Sequence, residues 1–160
     1  MNDALIRLLQ RDARISKEDL ARLTSLSPEQ VGEEMARLER EGVILGYQAI
    51  INREKWGQDM VTAIIEVKIT PERDGGFDHI ADRIAKFDEV QSCYLVSGGY
   101  DLLLVLEGKT LREVASFVAE KLSTVEAVQS TATHFRLKTY KENGAFHALE
   151  VTSERLAVTP

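Results

Sequence analysis

The residues able to do chemistry in this sequence are mostly scattered, with one concentrated exception. The three histidines, His79, His134 and His147, do not fall at metal-ligand spacing, so no metal site is expected. Cys93 is the sole cysteine and lies in an apolar run, which marks it as a small hydrophobe rather than a nucleophile or a disulfide partner. There is no Ser/His/Asp or Cys/His grouping, no carboxylate pair within a motif and no phosphate-cradling loop. An enzyme is therefore not expected, and neither a catalytic residue nor a cofactor is assigned. The exception is Val96-Ser97-Gly98-Gly99-Tyr100-Asp101, a polar, glycine-paired corner between the apolar runs Cys93–Val96 and Leu102–Leu106. Adjacent glycines between strands supply the positive φ that a tight connection needs. A plain hairpin turn and a loop that approaches a small ligand share this pattern.

The elements that position this corner have to be built from 160 residues, 44% of them hydrophobic. That is enough for one ordinary domain or two small ones. No run approaches the roughly 20 apolar residues of a membrane span, and Met1–Leu5 lacks the basic-then-apolar order of a signal peptide. A cytoplasmic protein without a membrane partner is expected. The net charge of −6 argues against indiscriminate polyanion binding while leaving room for a local basic face.

The N-terminal third reads as three helices. Leu5, Ile6, Leu8 and Leu9 form an apolar stripe at helical spacing. Ser16 can cap a second helix whose inner face holds Leu20, Ala21 and Leu23, ending near Thr24. Leu26-Ser27-Pro28-Glu29-Gln30-Val31 is the clearest helix start in the chain. Ser27 caps, Pro28 suits the first turn, Gln30 completes a capping box and Leu26 staples onto Val31. Val31, Met35 and Leu38 give this third helix its buried face. After the stop at Gly42, residues 43–51 read as β-structure. Three helices and a β-ribbon make a winged helix-turn-helix over residues 1–51, and the same pattern fits a three-helix packing module with no nucleic-acid role.

Residues 52–60, with Trp56 and Gly57, form a junction. Val61, Ala63, Ile65, Val67 and Ile69 then alternate with polar residues in a half-buried strand ended by Pro71. Phe77, Ile80, Ala81, Ile84 and Phe87 recur at helical spacing, the two strands around the glycine corner follow, and Leu111, Val114, Ala115, Val118 and Leu122 make another helix. A last strand between Val125 and Thr139 places Thr131, Thr133, Phe135 and Leu137 on one face. The order is a ferredoxin-like βαββαβ domain over residues 61–140, so the whole chain is of the α+β class. The face of its sheet away from the helices needs a cover, and dimerisation is the simplest one. Residues 141–160, apolar again at Phe146, Ala148, Val151, Leu156 and Val158, are either a tail or an extra strand.

Taken together, these motifs resemble the Lrp/AsnC, or feast/famine, family of transcriptional regulators over about residues 1–140. The resemblance is carried by Leu8–Ser16, Leu20-Ala21, Leu26-Ser27-Pro28 and Leu38–Tyr47, then by Ser97–Asp101 and Thr131-Ala132-Thr133. It implies a regulator that binds double-stranded DNA through its first domain. The second domain is implied to pair into homodimers, to assemble these into larger rings, often octamers, and to bind a small effector, usually an amino acid, between dimers. Position by position, the effector loop falls on Gly98, Gly99, Tyr100 and Asp101 and its companion strand on Thr131 and Thr133. Glycine N–H groups can approach a carboxylate closely, Asp101 can accept from an ammonium or brace the loop, and threonine hydroxyls can do either. Ordinary strand threonines and a self-bonded turn aspartate are the structural alternatives.

The residues expected at the DNA face are Ser27, Pro28 and Gln30 at the start of the third helix, with Arg14, Lys17, Arg22, Arg37 and Arg40 as the positive charges. This chain departs from the family where it matters, because Glu29, Glu33 and Glu34 stand on a helix that usually presents basic residues. Residues 1–57 hold nine Lys plus Arg against ten Asp plus Glu, a net of −1. Phosphate neutralisation drives DNA affinity, so a neutral head binds weakly unless its positives cluster. Arg37 and Arg40 can meet phosphate or pair with Glu33, Glu34 or Glu41 at helical spacing. An amino-acid-sensing oligomer with weak or lost DNA binding, acting through protein partners, is the alternative function.

Overall fold

The computed structural model describes residues 3–71 and 76–147. Two compact units meet between Ile50 and Ile51. In the first, α1 (Asp3–Arg11), α2 (Lys17–Thr24) and α3 (Pro28–Arg40) bury Leu5, Leu9, Leu20, Ala21, Val31 and Leu38 against one another. Ser16 caps α2 by accepting from the Asp19 N–H, and Ser25 closes it in the left-handed region at φ 58°. Leu26, Met35 and Ile44 pack on the same core.

The β-ribbon expected over residues 43–51 is not formed: these residues carry no regular secondary structure. Val43 and Ile44 donate to the Leu38 carbonyl at 2.9 and 3.1 Å, which finishes α3. A short helix, α4 (Arg53–Trp56), follows at once, capped by Asn52 and closed by Gly57 at φ 74°. Among the described residues no strand pairs with the segment. Apart from Ile44, its large apolar side chains stay largely in solvent, Leu45 at 94% exposure and Val43, Tyr47, Ile50 and Ile51 all near one half.

The second unit holds β1 (Val61–Ile69), α5 (Asp78–Ala85), β2 (Val90–Leu95), β3 (Leu102–Gly108), α6 (Leu111–Glu120) and β4 (Val128–Phe135). The strands form one antiparallel sheet in the order β2-β3-β1-β4, the ferredoxin-like arrangement. Because side chains alternate along a strand, Ala63, Ile65 and Val67 of β1 and Leu102, Leu104 and Leu106 of β3 point one way. They pack there against Ile80 and Ile84 of α5 and Val114 and Phe117 of α6. Phe87 meets Phe117 edge to face, ring centroids 5.5 Å apart. Directly opposed residues share a face, so Ile64, Glu66, Tyr94, Leu103, Val105, Ala132 and His134 look the other way.

The last strand is shorter than expected. It stops at Phe135, and Leu137, expected on its face, is 94% exposed beyond it. Arg136 turns back instead: its N–H donates to the Thr62 carbonyl at 2.9 Å and its guanidinium to Thr62 Oγ1 at 2.8 Å and Glu142 Oε1 at 2.9 Å. A small hairpin follows, β5 (Lys141–Glu142) and β6 (Ala145–Phe146). Its turn, Asn143-Gly144, has both residues at positive φ, 45° and 85°, as a two-residue hairpin requires. Ala148, Val151, Leu156 and Val158, read above as a second apolar stretch, lie outside the described residues.

Candidate functional site

Helix α3 begins as its sequence dictates. Ser27 Oγ accepts from the Gln30 N–H at 3.2 Å, and Gln30 Oε1 accepts from the Ser27 N–H at 2.8 Å, with Pro28 in the first turn. Ser27 Oγ also donates to Glu29 at 2.8 Å. The backbone N–H of Glu29 and this hydroxyl hold the Glu29 carboxyl below its usual range. The two polar side chains assigned to the DNA face are thus engaged in building the helix start.

Most of the acidic residues along α3 are engaged as well. Arg37 grips Glu34 through Nε at 2.9 Å and Nη2 at 2.7 Å, and reaches Glu41 through Nη1 at 2.6 Å. These two carboxylates hold the guanidinium in its charged form. Glu39 accepts from the Tyr47 hydroxyl at 2.9 Å. Burial, with Glu39 as the smaller cause, raises the Tyr47 pKa. On α2, Arg22 pairs with Asp19, whose pKa is lowered by the Ser16 hydroxyl and by Arg22. Of the five positives assigned to the DNA face, Arg37 therefore takes the pairing alternative, and Arg22 is paired with Asp19, a partner not expected from the sequence. Arg14, Lys17 and Arg40 are exposed and have no carboxylate partner among the described residues. Arg7 and Arg11 on α1 are exposed in the same way, and the sequence reading left them out.

The glycine corner lies at the end of β1. Val96 N–H donates to the Asp101 carbonyl at 2.9 Å, closing the turn, and Asp101 N–H donates to the Val67 carbonyl at 3.0 Å. Asp101 Oδ2 accepts from the Ile69 N–H at 2.8 Å. The aspartate thus braces the loop against a strand 32 residues away, not against its own turn. It holds Ile69 where the β1–β4 register slips, between Lys68 and Ile69. Gly98 has φ 145°, and a Cβ built on either Gly98 or Gly99 meets nothing within 4 Å. The N–H groups of Ser97, Gly98, Gly99 and Tyr100 find no backbone acceptor among the described residues.

Thr131 stands opposite Val67 and Thr133 opposite Ile65, on the helix-side face. Both are half-buried. Val67 is flanked by Leu102 on its other side, so β1 separates the loop from the threonines by two strand spacings, roughly 10 Å. An open groove of about 520 Å³ beside α6 and a hollow of about 760 Å³ beside α1 contain none of these residues. The loop is open within one chain. Among the described residues no group of three or more His, Cys, Asp or Glu could hold a metal, and no helix is long and apolar enough to cross a membrane.

Residues 2–39 match the AsnC-type helix-turn-helix domain, and residues 62–146 match the Lrp/AsnC ligand binding domain. The chain belongs to the Lrp/AsnC family. It is a DNA-binding transcriptional regulator, not an enzyme. It is 41% identical over 157 residues to the uncharacterized HTH-type transcriptional regulator YugG of Bacillus subtilis, covering 98% of this chain and 95% of that one. It is 30% identical over 140 residues to the proline dehydrogenase transcriptional activator of Rhizobium radiobacter, covering 88% and 89%. Among solved structures it is similar to a Neisseria meningitidis transcriptional regulator in complex with L-Met, with a TM-score of 0.67, 26% identity and coverage of 93% and 94%.

Proposed function

We propose that this Lrp/AsnC regulator binds an amino acid at the loop Gly98–Asp101, with Thr131 and Thr133 as further partners, and that the bound ligand changes its assembly or its affinity for DNA. The observation that carries this reading is the loop itself, a tip pinned at Asp101 whose glycines are unobstructed and whose backbone donors from Ser97 to Tyr100 meet no backbone acceptor among the described residues. Free N–H groups suit a ligand carboxylate, and Oδ1 of Asp101 or a threonine hydroxyl suits its ammonium. The Neisseria relative, solved with L-Met, supports the ligand class.

An open loop needs a second wall, and a second copy of the chain supplies it in this reading. The outward sheet face, with Ile64, Tyr94, Leu103 and Val105, and the unpaired apolar segment 43–51 are the surfaces that dimerisation would cover. Higher assembly then raises the avidity of heads that are individually weak. Residues 1–51 act as the DNA-binding domain in this reading. Arg14, Lys17 and Arg40 make phosphate contacts, while Ser27, Pro28 and Gln30 set the entry of α3 into the groove.

Thermal-shift screening of the full chain against the amino acids, with light scattering on the same samples, tests this reading. An amino acid that raises the melting temperature and changes particle mass is the expected result. No shift with any amino acid contradicts it. A second reading, a sensor with weak DNA binding that acts through protein partners, is favoured by the near-neutral head and by Arg37 being bound to its own glutamates. Absence of any gel shift with multi-site promoter DNA at low salt is the result that selects it.

A further inference from the structure

We infer that Glu33 is a specificity-determining residue, whose carboxylate accepts a hydrogen bond from the N4 amino group of a cytosine and disfavours other bases at that position. Helix α3 buries Val31 and Leu38. At 3.6 residues per turn the opposite side of the helix carries Glu29, Glu33, Ala36 and Arg40. Glu29, Glu33 and Arg40 are exposed. In a helix-turn-helix the N-terminal half of the second helix meets base edges, and Glu33 lies in that half.

Its chemistry is set apart from that of its neighbours. Glu29 is held by Ser27, Glu34 and Glu41 by Arg37, and Glu39 by Tyr47. Glu33 has no such partner among the described residues, so its full acceptor capacity faces outward. Its neighbours on the helix are small: Ala36 lies one turn on, and at Gly32 a Cβ would meet Lys17 Nζ at 3.5 Å, so the glycine leaves room for the Lys17 side chain from α2.

A carboxylate in a DNA groove is repelled by phosphate, and among the usual base contacts it accepts from cytosine N4. A repulsive element relieved by one base discriminates against all others. That makes the near-neutral head selective rather than weak everywhere. The inference rests on the DNA-binding role of α3, and the experiment separates the two claims.

Duplexes are selected from a randomised pool with the full chain. The affinities of the selected duplex and its single-base-pair variants are then measured for the wild type, Glu33→Ala and Glu33→Gln, with thermal melting to confirm folding. The expected result is a C·G pair in each half-site whose replacement weakens the wild type about tenfold and Glu33→Ala less than about twofold. Glu33→Gln is expected to move the preference at that position towards adenine, glutamine's usual base partner. A uniform gain in affinity by Glu33→Ala across all duplexes would show plain repulsion and overturn the inference, as would an unchanged sequence profile. If the wild type enriches no sequence at all, the DNA-binding role of α3 fails and the inference fails with it.

Discussion

Helix α3 and the Gly98–Asp101 loop differ in how far their polar groups are already committed. On α3, Ser27, Gln30, Glu29, Glu34, Arg37, Glu39 and Glu41 are bonded within the chain. In the loop, Asp101 is committed to Ile69 and Val67 while the backbone donors of Ser97 to Tyr100 meet no backbone acceptor among the described residues. A surface whose groups are internally satisfied has little left for a tight, indiscriminate grip. A loop tied down at its base loses less conformational entropy when a small ligand arrives than an untied one. The contrast fits a protein that reads DNA sparingly and a small molecule directly.

The comparison breaks most visibly at Asp101. Asp101→Ala leaves the half-buried Ile69 N–H without its acceptor, and we expect a loss of about 1–3 kcal/mol of stability in the second unit, seen in chemical denaturation. Helicity of α1 to α3 should persist. Equal stability of wild type and variant would show that the brace is not holding the loop. On the other side of the comparison, Ser27→Ala removes the cap of α3 and should cost about 1 kcal/mol. Its readout is the unfolding of the first unit, with the effector response unchanged.

Smaller effects distinguish the free positives from the paired ones. Alanine at Arg14, Lys17 or Arg40 should each reduce the slope of log affinity against log salt by about 1. Arg37→Ala should leave that slope nearly unchanged, because its guanidinium is shared by Glu34 and Glu41. Equal slopes for all four variants would show that the pairs open on DNA. The smallest effect concerns pH. Glu89 is held below the usual glutamate value by Lys121, 2.5 Å away. A lowered carboxylate pKa stabilises the fold above the unfolded value, and that contribution is lost as pH falls through the folded value. Lys121→Met should therefore flatten the acid limb of the stability profile below about pH 4.5, and an unchanged limb would remove the pair from the account.

The strongest local signals in the sequence were legible, and most long-range pairings were not. The start of α3 was legible because cap, proline and glutamine stand within four residues and act on each other. The four strands were legible because β1 largely alternates apolar and polar residues and β3 is a short continuous apolar run bounded by turn residues. The segment 43–51 has the same apolar character, yet pairing needs a second strand and composition does not say whether one is supplied. For Asp101 the two possible roles could be stated, but its partner is 32 residues away. Likewise, helical spacing offered Arg37 three glutamates, and the fold chose Glu34 and Glu41. The Asn143-Gly144 hairpin and the Asn52-capped α4 carried recognisable local signals that were passed over as polar sequence.

The most direct test of the account is a calorimetric titration, into the wild type and a Gly99→Trp variant, of the amino acid that gives the largest thermal shift in the screen. Gly99 is the position to change, because its φ lies outside the region that strains a side chain, as that of Gly98 does not, and a Cβ on it meets nothing within the chain. The account predicts saturable binding by the wild type and none by the variant, with DNA binding by the first unit retained in both. Equal binding by the two proteins would contradict it, because the ligand would then lie elsewhere than at the loop.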